Sequence, residues 1–225
     1  CGTDPNDVAT EDCPKKIDFQ TDLGEDKSLI RVALLVPAHR AFDAEEKSIL
    51  NQLIQAAKKQ NIVITEIQTK DVETYYKIIS STEIQGDFDR YLQKYGNGKT
   101  PGTFKDLVKM YEMRAQHHPY GMDRLTDALK FSSDLNNPTY RNALERGIGN
   151  TTRAIDETLK ETNAQAIIAV GFVPWWAVAR APYVALPLAQ RHNHAMIGIT
   201  VGCRRLEDRK ALDIAARLEK VIKEL

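Results

Sequence analysis

The chain has 225 residues, 42% of them hydrophobic, and balances 31 Lys and Arg against 31 Asp and Glu. That length supports one large domain or two small ones around a real core. Zero net charge excludes an electrostatic grip on nucleic acid or an anionic membrane, and no apolar run approaches the roughly 20 residues of a membrane span.

Residues 1–28 lack any period and carry turn residues, so they read as an extended surface segment. "LIRVALLVP" (29–37) is a continuous apolar run closed by proline, the pattern of a buried strand. The next stretch is helical. Asp43 can cap it with Glu46 as reciprocal partner, and Ile49, Leu50, Leu53, Ile54 and Ala57 share one face. "NIVITEI" (61–67) is a second strand, so 29–67 forms a βαβ unit whose strands run parallel.

Residues 72–162 form a more polar helical region. Thr103 with Asp106 opens one helix, whose apolar face is Phe104, Leu107, Val108 and Tyr111. Asn137-Pro138 opens another, since proline in the first turn gives up no needed donor. There Leu144, Ile148, Thr151, Ile155 and Leu159 make one stripe expected to lie on a sheet. Gly147 and Gly149 interrupt it at about 1 kcal/mol each, an arrangement suited to close approach of another backbone.

Residues 164–222 return to strands and end in a helix. "AQAIIAVGF" (164–172) is a buried strand, "VPWWAVARAP" breaks it, and "YVALPL" and "MIGITVG" follow. Pro187 cannot donate to a ladder, so its strand is an edge or ends there. The last helix is expected to begin near Leu206 and to bury Leu212, Ala215, Leu218 and Ile222. Taken whole, 1–225 reads as a single α/β domain, a mixed sheet covered by helices.

Residues able to do chemistry are few. There is no G-x-S-x-G elbow, no phosphate loop and no dinucleotide fingerprint. Ser80-Ser81 and Ser132-Ser133 lie in polar helical surroundings without an obvious base, and Gly96-Asn97-Gly98 is a turn between helices. His192 and His194 sit two apart in a polar turn; they read as solvated, with a metal pair as the alternative. His117-His118 are adjacent in a helix ending and do not face each other. Cys1, Cys13 and Cys203 show neither metal-ligand spacing nor a disulfide framework, a Cys1–Cys13 bridge being the alternative to incidental thiols. The chain opens on Cys1 rather than Met, which points to processing or truncation; no leader peptide is visible. Trp175 and Trp176, after a buried strand, either wall an apolar pocket beyond its carboxyl end or cap the core.

The tail resembles the C-terminal part of the amidase signature hydrolases, which include peptide amidases and the catalytic subunit of glutamyl-tRNA amidotransferase. Pro182, Pro187, Gly198, Ile199 and Gly202 match that family's pattern in order, and "LEDRKALDIAARLEKV" is similar to its terminal helix. "CGTDPNDVAT" resembles the G-x-D-P-x-D stretch that follows the family's catalytic region, and "IRVALL" its next strand. "STEIQGDFDRYLQKYG", "GKTPGTFKDLVKMYE" and "DLNNPTYRNAL" resemble its middle helices.

The resemblance implies the C-terminal half of an amidase-signature fold. The family's Ser–Ser–Lys triad and oxyanion loop precede the D-P-x-D stretch, so it implies no catalytic residue, no metal and no cofactor in this chain. Trp175, Trp176, Arg180 and Tyr183 are the candidate substrate-pocket residues, the tryptophans from their place after a buried strand. Arg180 and Ala189 stand where the family carries glycine, and "AVGFVPWW" replaces its usual A-P-T. The implied partner is the missing N-terminal half or, through an unpaired strand edge, a second copy. The expected compartment is the cytoplasm, with a lipoprotein anchored through Cys1 as the alternative.

Overall fold

The computed structural model describes residues 2–5, 10–14, 19, 22–38, 40–98, 101–114 and 121–225. His117-His118 and Cys1, with the bridge and the lipid anchor argued from Cys1, lie outside the described residues. The chain divides into two compact units, Cys1–Glu73 with Gly149–Leu225, and Thr74–Ile148.

The first unit is built on a mixed five-stranded sheet of order β2-β1-β3-β5-β4. Strand β1 (Ile30–Val36) lies parallel to β2 (Ile62–Gln68) on one side and to β3 (Ala166–Val170) on the other. Strand β5 (Met196–Gly202) runs antiparallel between β3 and the edge strand β4 (Tyr183–Gln190). The βαβ unit therefore forms as its apolar pattern predicts, and β4 is an edge. Pro187 does not end it: the ladder slips between Pro187 and Ala189, a bulge that leaves Leu188 buried and carries the strand on to Gln190.

One face of the sheet (Val32, Leu34, Ile168, Ile199 and Val201) packs with α1 (Ala44–Lys59) and α7 (Asp208–Ile222). Helix α1 starts at a capping box: Asp43 accepts from the Glu46 N–H at 2.8 Å and Glu46 accepts from the Asp43 N–H at 3.1 Å. Helix α7 begins two residues later than expected at Leu206, and its buried face is Ala211, Ile214, Ala215, Leu218 and Val221. Leu212 and Ile222, expected inside, are half-buried, both on one flank of that face. Gly24 of the N-terminal segment sits on α7. Its N–H bonds Asp213 at 2.7 Å, and a Cβ there would meet the Ala216 side chain at 3.0 Å.

The opposite face (Ala33, Leu35, Ile167 and Ala169) carries Ala154, Ile155 and Leu159 of α5 (Pro138–Glu161) and the short helix α6 (Trp175–Ala179). The C-terminal part of the predicted α5 stripe lies on the sheet as expected. At Gly149 a Cβ would meet nothing within 4 Å among the described residues, so the close-contact role does not apply at that position.

The second unit holds α2 (Tyr76–Tyr95), α3 (Phe104–Glu112) and α4 (Asp123–Ala128) with the first turns of α5. Thr103 caps α3, and Phe104, Val108 and Ala128 are its small core; Tyr111, assigned to that face by spacing, is exposed. Gly86 faces the Ser133 carbonyl, where a Cβ would stand at 2.8 Å. Among the described residues no helix is long and apolar enough to cross a membrane.

Candidate functional site

The candidate residues follow β3. Gly171 turns at φ 75°, Pro174 starts α6, and Arg180 ends it at φ 55°, ψ 38° before the chain enters β4. A left-handed residue is what a helix needs to stop within a turn, and glycine is the usual one because it has no Cβ to clash. Arg180 takes that conformation as an ordinary L-residue, with its N–H on the Trp176 carbonyl.

This turn folds α6 back over the sheet. Trp175 and Trp176 are buried in the core layer with Leu35, Ile155, Leu159 and Ile167. The Trp176 ring rests on Gly202, where a Cβ would fall 2.0 Å from Cε2 and Nε1. Gly202 pairs with Ile167 near the start of β3, so this ring lies toward the amino end of that strand, away from the carboxyl end the sequence suggested. Its Nε1–H has no hydrogen-bond partner. The Tyr183 ring stands 6.4 Å from it, tilted by 33°, and is 45% exposed. The structure thus brings Trp176 and Tyr183 together. It leaves Arg180 and Tyr183 exposed and both tryptophans buried.

A small cavity of about 130 Å³ opens beside this segment, lined by Ile155, Ala179, Ala181 and the ion pair of Arg204 with Asp156 at 2.6 Å. Neither tryptophan lines it. In the second unit Ser80 and Ser81 line a cleft of about 320 Å³ with Lys77 and Arg124. Lys77 is held by Asp127 at 2.9 Å. Asp127 is itself drawn down to about 2 by its bonds to Lys130 and Lys77. The Ser132 hydroxyl accepts the Asp134 N–H in a local turn.

The histidines of the 191–195 turn take no common orientation. His192 Nδ1 lies 2.8 Å from Glu45 with its side chain 97% exposed, and His194 turns at φ 68°. Among the described residues no group of three His, Cys, Asp or Glu side chains could hold a metal ion. The Cys203 thiol is pushed up to about 12 by burial and is no nucleophile.

Sequence reading missed the charge cluster on this turn. Arg191 reaches Asp43 at 2.8 Å and Glu46 at 2.9 Å, and Arg40 holds the buried Glu46 from the other side at 2.6 Å. The capping box and the Arg40–Glu46 pair, six positions apart, are local; the bonds of Arg191 join residues 145 and 148 positions apart.

No protein-family profile and no curated protein matches the sequence. Solved structures do match. An amidase family protein from Bacillus anthracis superposes with a TM-score of 0.81 at 18% identity, over 100% of this chain and 45% of that one. Native peptide amidase from Stenotrophomonas maltophilia gives 0.74 at 16%, over 99% and 49%. A bacterial aryl acylamidase of the amidase signature enzymes gives 0.66 at 10%, over 98% and 49%. This chain therefore has the fold found in part of the amidase structures, and it spans about half the length of the chains it matches.

Proposed function

We propose that this chain is the C-terminal portion of an amidase-type hydrolase, in which a carboxamide C–N bond is cleaved by serine acylation and then water attack. The carrying observation is the match of the whole chain to about half of each amidase structure. The ordered Pro182, Pro187, Gly198, Ile199 and Gly202 pattern supports the same reading.

In this assignment the nucleophile, its base and the oxyanion donors belong to the other portion, and this chain alone does not turn over amides. Rate enhancement in acyl transfer depends on preorganised donors aimed at the developing oxyanion. Ser80 and Ser81 line their cleft beside a Lys77 that is paired with Asp127. The chain contributes sheet strands, covering helices and one wall of the substrate pocket. Arg180 and Tyr183 are the substrate-facing candidates, and Trp175 and Trp176 hold that wall from behind. A basic residue in place of the smaller glycine favours an acidic or carboxylate-bearing substrate over a neutral one.

The test is hydrolysis of peptide amides and anilides by the purified chain, alone and co-produced with the polypeptide encoded directly upstream. No turnover alone, and serine-dependent turnover together, is the expected result. Turnover by the isolated chain that survives replacement of each serine would reject the assignment.

A further inference from the structure

We propose that the cavity beside the Arg217 guanidinium binds a small monovalent anion, a halide or a single carboxylate group. The cavity holds about 90 Å³ between residues 24–27, the join of α1 to β2 and the last turns of α7. It lies within the first unit at the β2 side of the sheet, the edge remote from β4. The inference does not depend on the amidase assignment.

Arg217 carries the argument. It belongs to the buried side of α7 and is 5% exposed. Its Nη2 donates to the Ser28 carbonyl at 2.8 Å and to the Gln60 carbonyl at 3.4 Å. Its Nη1 has no partner, and among the described residues the guanidinium enters no ion pair. Arginine does not give up its proton in a protein, so this buried group stays charged. Two neutral carbonyls satisfy one nitrogen without cancelling that charge, and buried charges are as a rule paired.

The carboxylates of the cavity wall are committed elsewhere. Asp26 accepts the Ser28 N–H at 2.7 Å and the Ser28 hydroxyl at 2.8 Å. These two bonds hold it below the usual carboxylate range, with the Arg217 charge a lesser influence. Glu25 pairs with Lys220 at 2.6 Å, and Lys220 also donates to the Gly24 carbonyl at 2.9 Å. Lys27 forms no ion pair among the described residues. The wall thus sets Lys27, Arg217 and Lys220 against Glu25 and Asp26, an excess of one positive charge.

Charge and size select the occupant. A single negative charge balances the wall, whereas a dianion sets its second charge against Glu25 and Asp26. A water would fill the space and leave the charge uncompensated. The volume is also well below the roughly 300 Å³ of a site for a larger organic ligand. Arg217 already bridges Ser28, ahead of β1, and Gln60, ahead of β2. An anion facing both Arg217 and Lys27 fastens the N-terminal segment to α7 as well.

The experiment is a thermal melt of the purified chain in sodium chloride, sodium formate and sodium gluconate at equal ionic strength. Arg217→Met is compared with a Lys223→Gln control at the exposed end of α7, and crystals are grown in sodium bromide and in sodium formate. Chloride or formate raises the midpoint over gluconate, which is too bulky for the cavity, by about 2–4 °C at roughly fivefold excess over Kd. The anion giving the larger rise identifies the class bound. R217M abolishes the difference and K223Q keeps it. Crystals show bromide, by its anomalous signal, or formate beside the guanidinium. Should R217M fail to fold, the crystals carry the decision. Equal midpoints in all three salts, or neither anion at Arg217, overturns the site and leaves its cavity to water. A difference that R217M retains places the anion elsewhere and overturns it equally.

Discussion

At the scale of single residues, two positions decide whether the α6 segment can lie where it does. Gly202 permits the Trp176 ring to touch the β5 backbone, and a Cβ there would stand 2.0 Å from ring atoms. Trp176 is fully buried and has no room to yield. Gly202→Ala is therefore expected to cost about 1–3 kcal/mol, the range for overpacking a filled site. A urea melt of the variant checks this; an unchanged midpoint would show that the ring does not rest on Gly202. Arg180 presents the reverse case. It occupies a left-handed conformation at φ 55° that costs an L-residue roughly 1 kcal/mol. Arg180→Gly removes this strain but adds freedom to the unfolded chain. The net expectation is equal or greater stability, by up to about 1 kcal/mol, read from the same urea melt.

At the scale of elements, the charge cluster fastens the β4–β5 turn to the start of α1. The Glu46 carboxyl is held below the usual carboxylate range, chiefly by its bond from Arg40, and Asp43 by the Glu46 N–H and then Arg191. Both pKa values are depressed in the folded chain. Their contribution is therefore present above the unfolded carboxylate value of about pH 4 and is lost as pH falls through the lower folded values. Thermal melts between about pH 6 and about pH 3 should show the loss. Arg191→Ala should lower stability at neutral pH, because Asp43 and Glu46 lose a charged hydrogen-bond donor, and flatten the acid limb. An acid limb identical to that of the unaltered chain would mean that the cluster does not bind the turn to α1. The contrast with the βαβ unit is instructive. Strand β1, helix α1 and strand β2 were legible because each depends on its own apolar period and a local cap. The α6 fold-back depends on a glycine 26 positions away in sequence, and the tie at Arg191 on a distant helix start; neither leaves a periodic signal.

At the scale of the whole molecule, the fold class was legible because continuous apolar runs, a βαβ pattern and the ordered motifs of the tail all pointed to one architecture. The strand order was not, since β5 enters between β3 and β4 through antiparallel pairings that sequence spacing does not specify. Nor could the depth of the tryptophans be read: after a buried strand they fit a pocket wall and a core layer equally well, and it is the fold-back of Trp176 onto Gly202 that buries its ring.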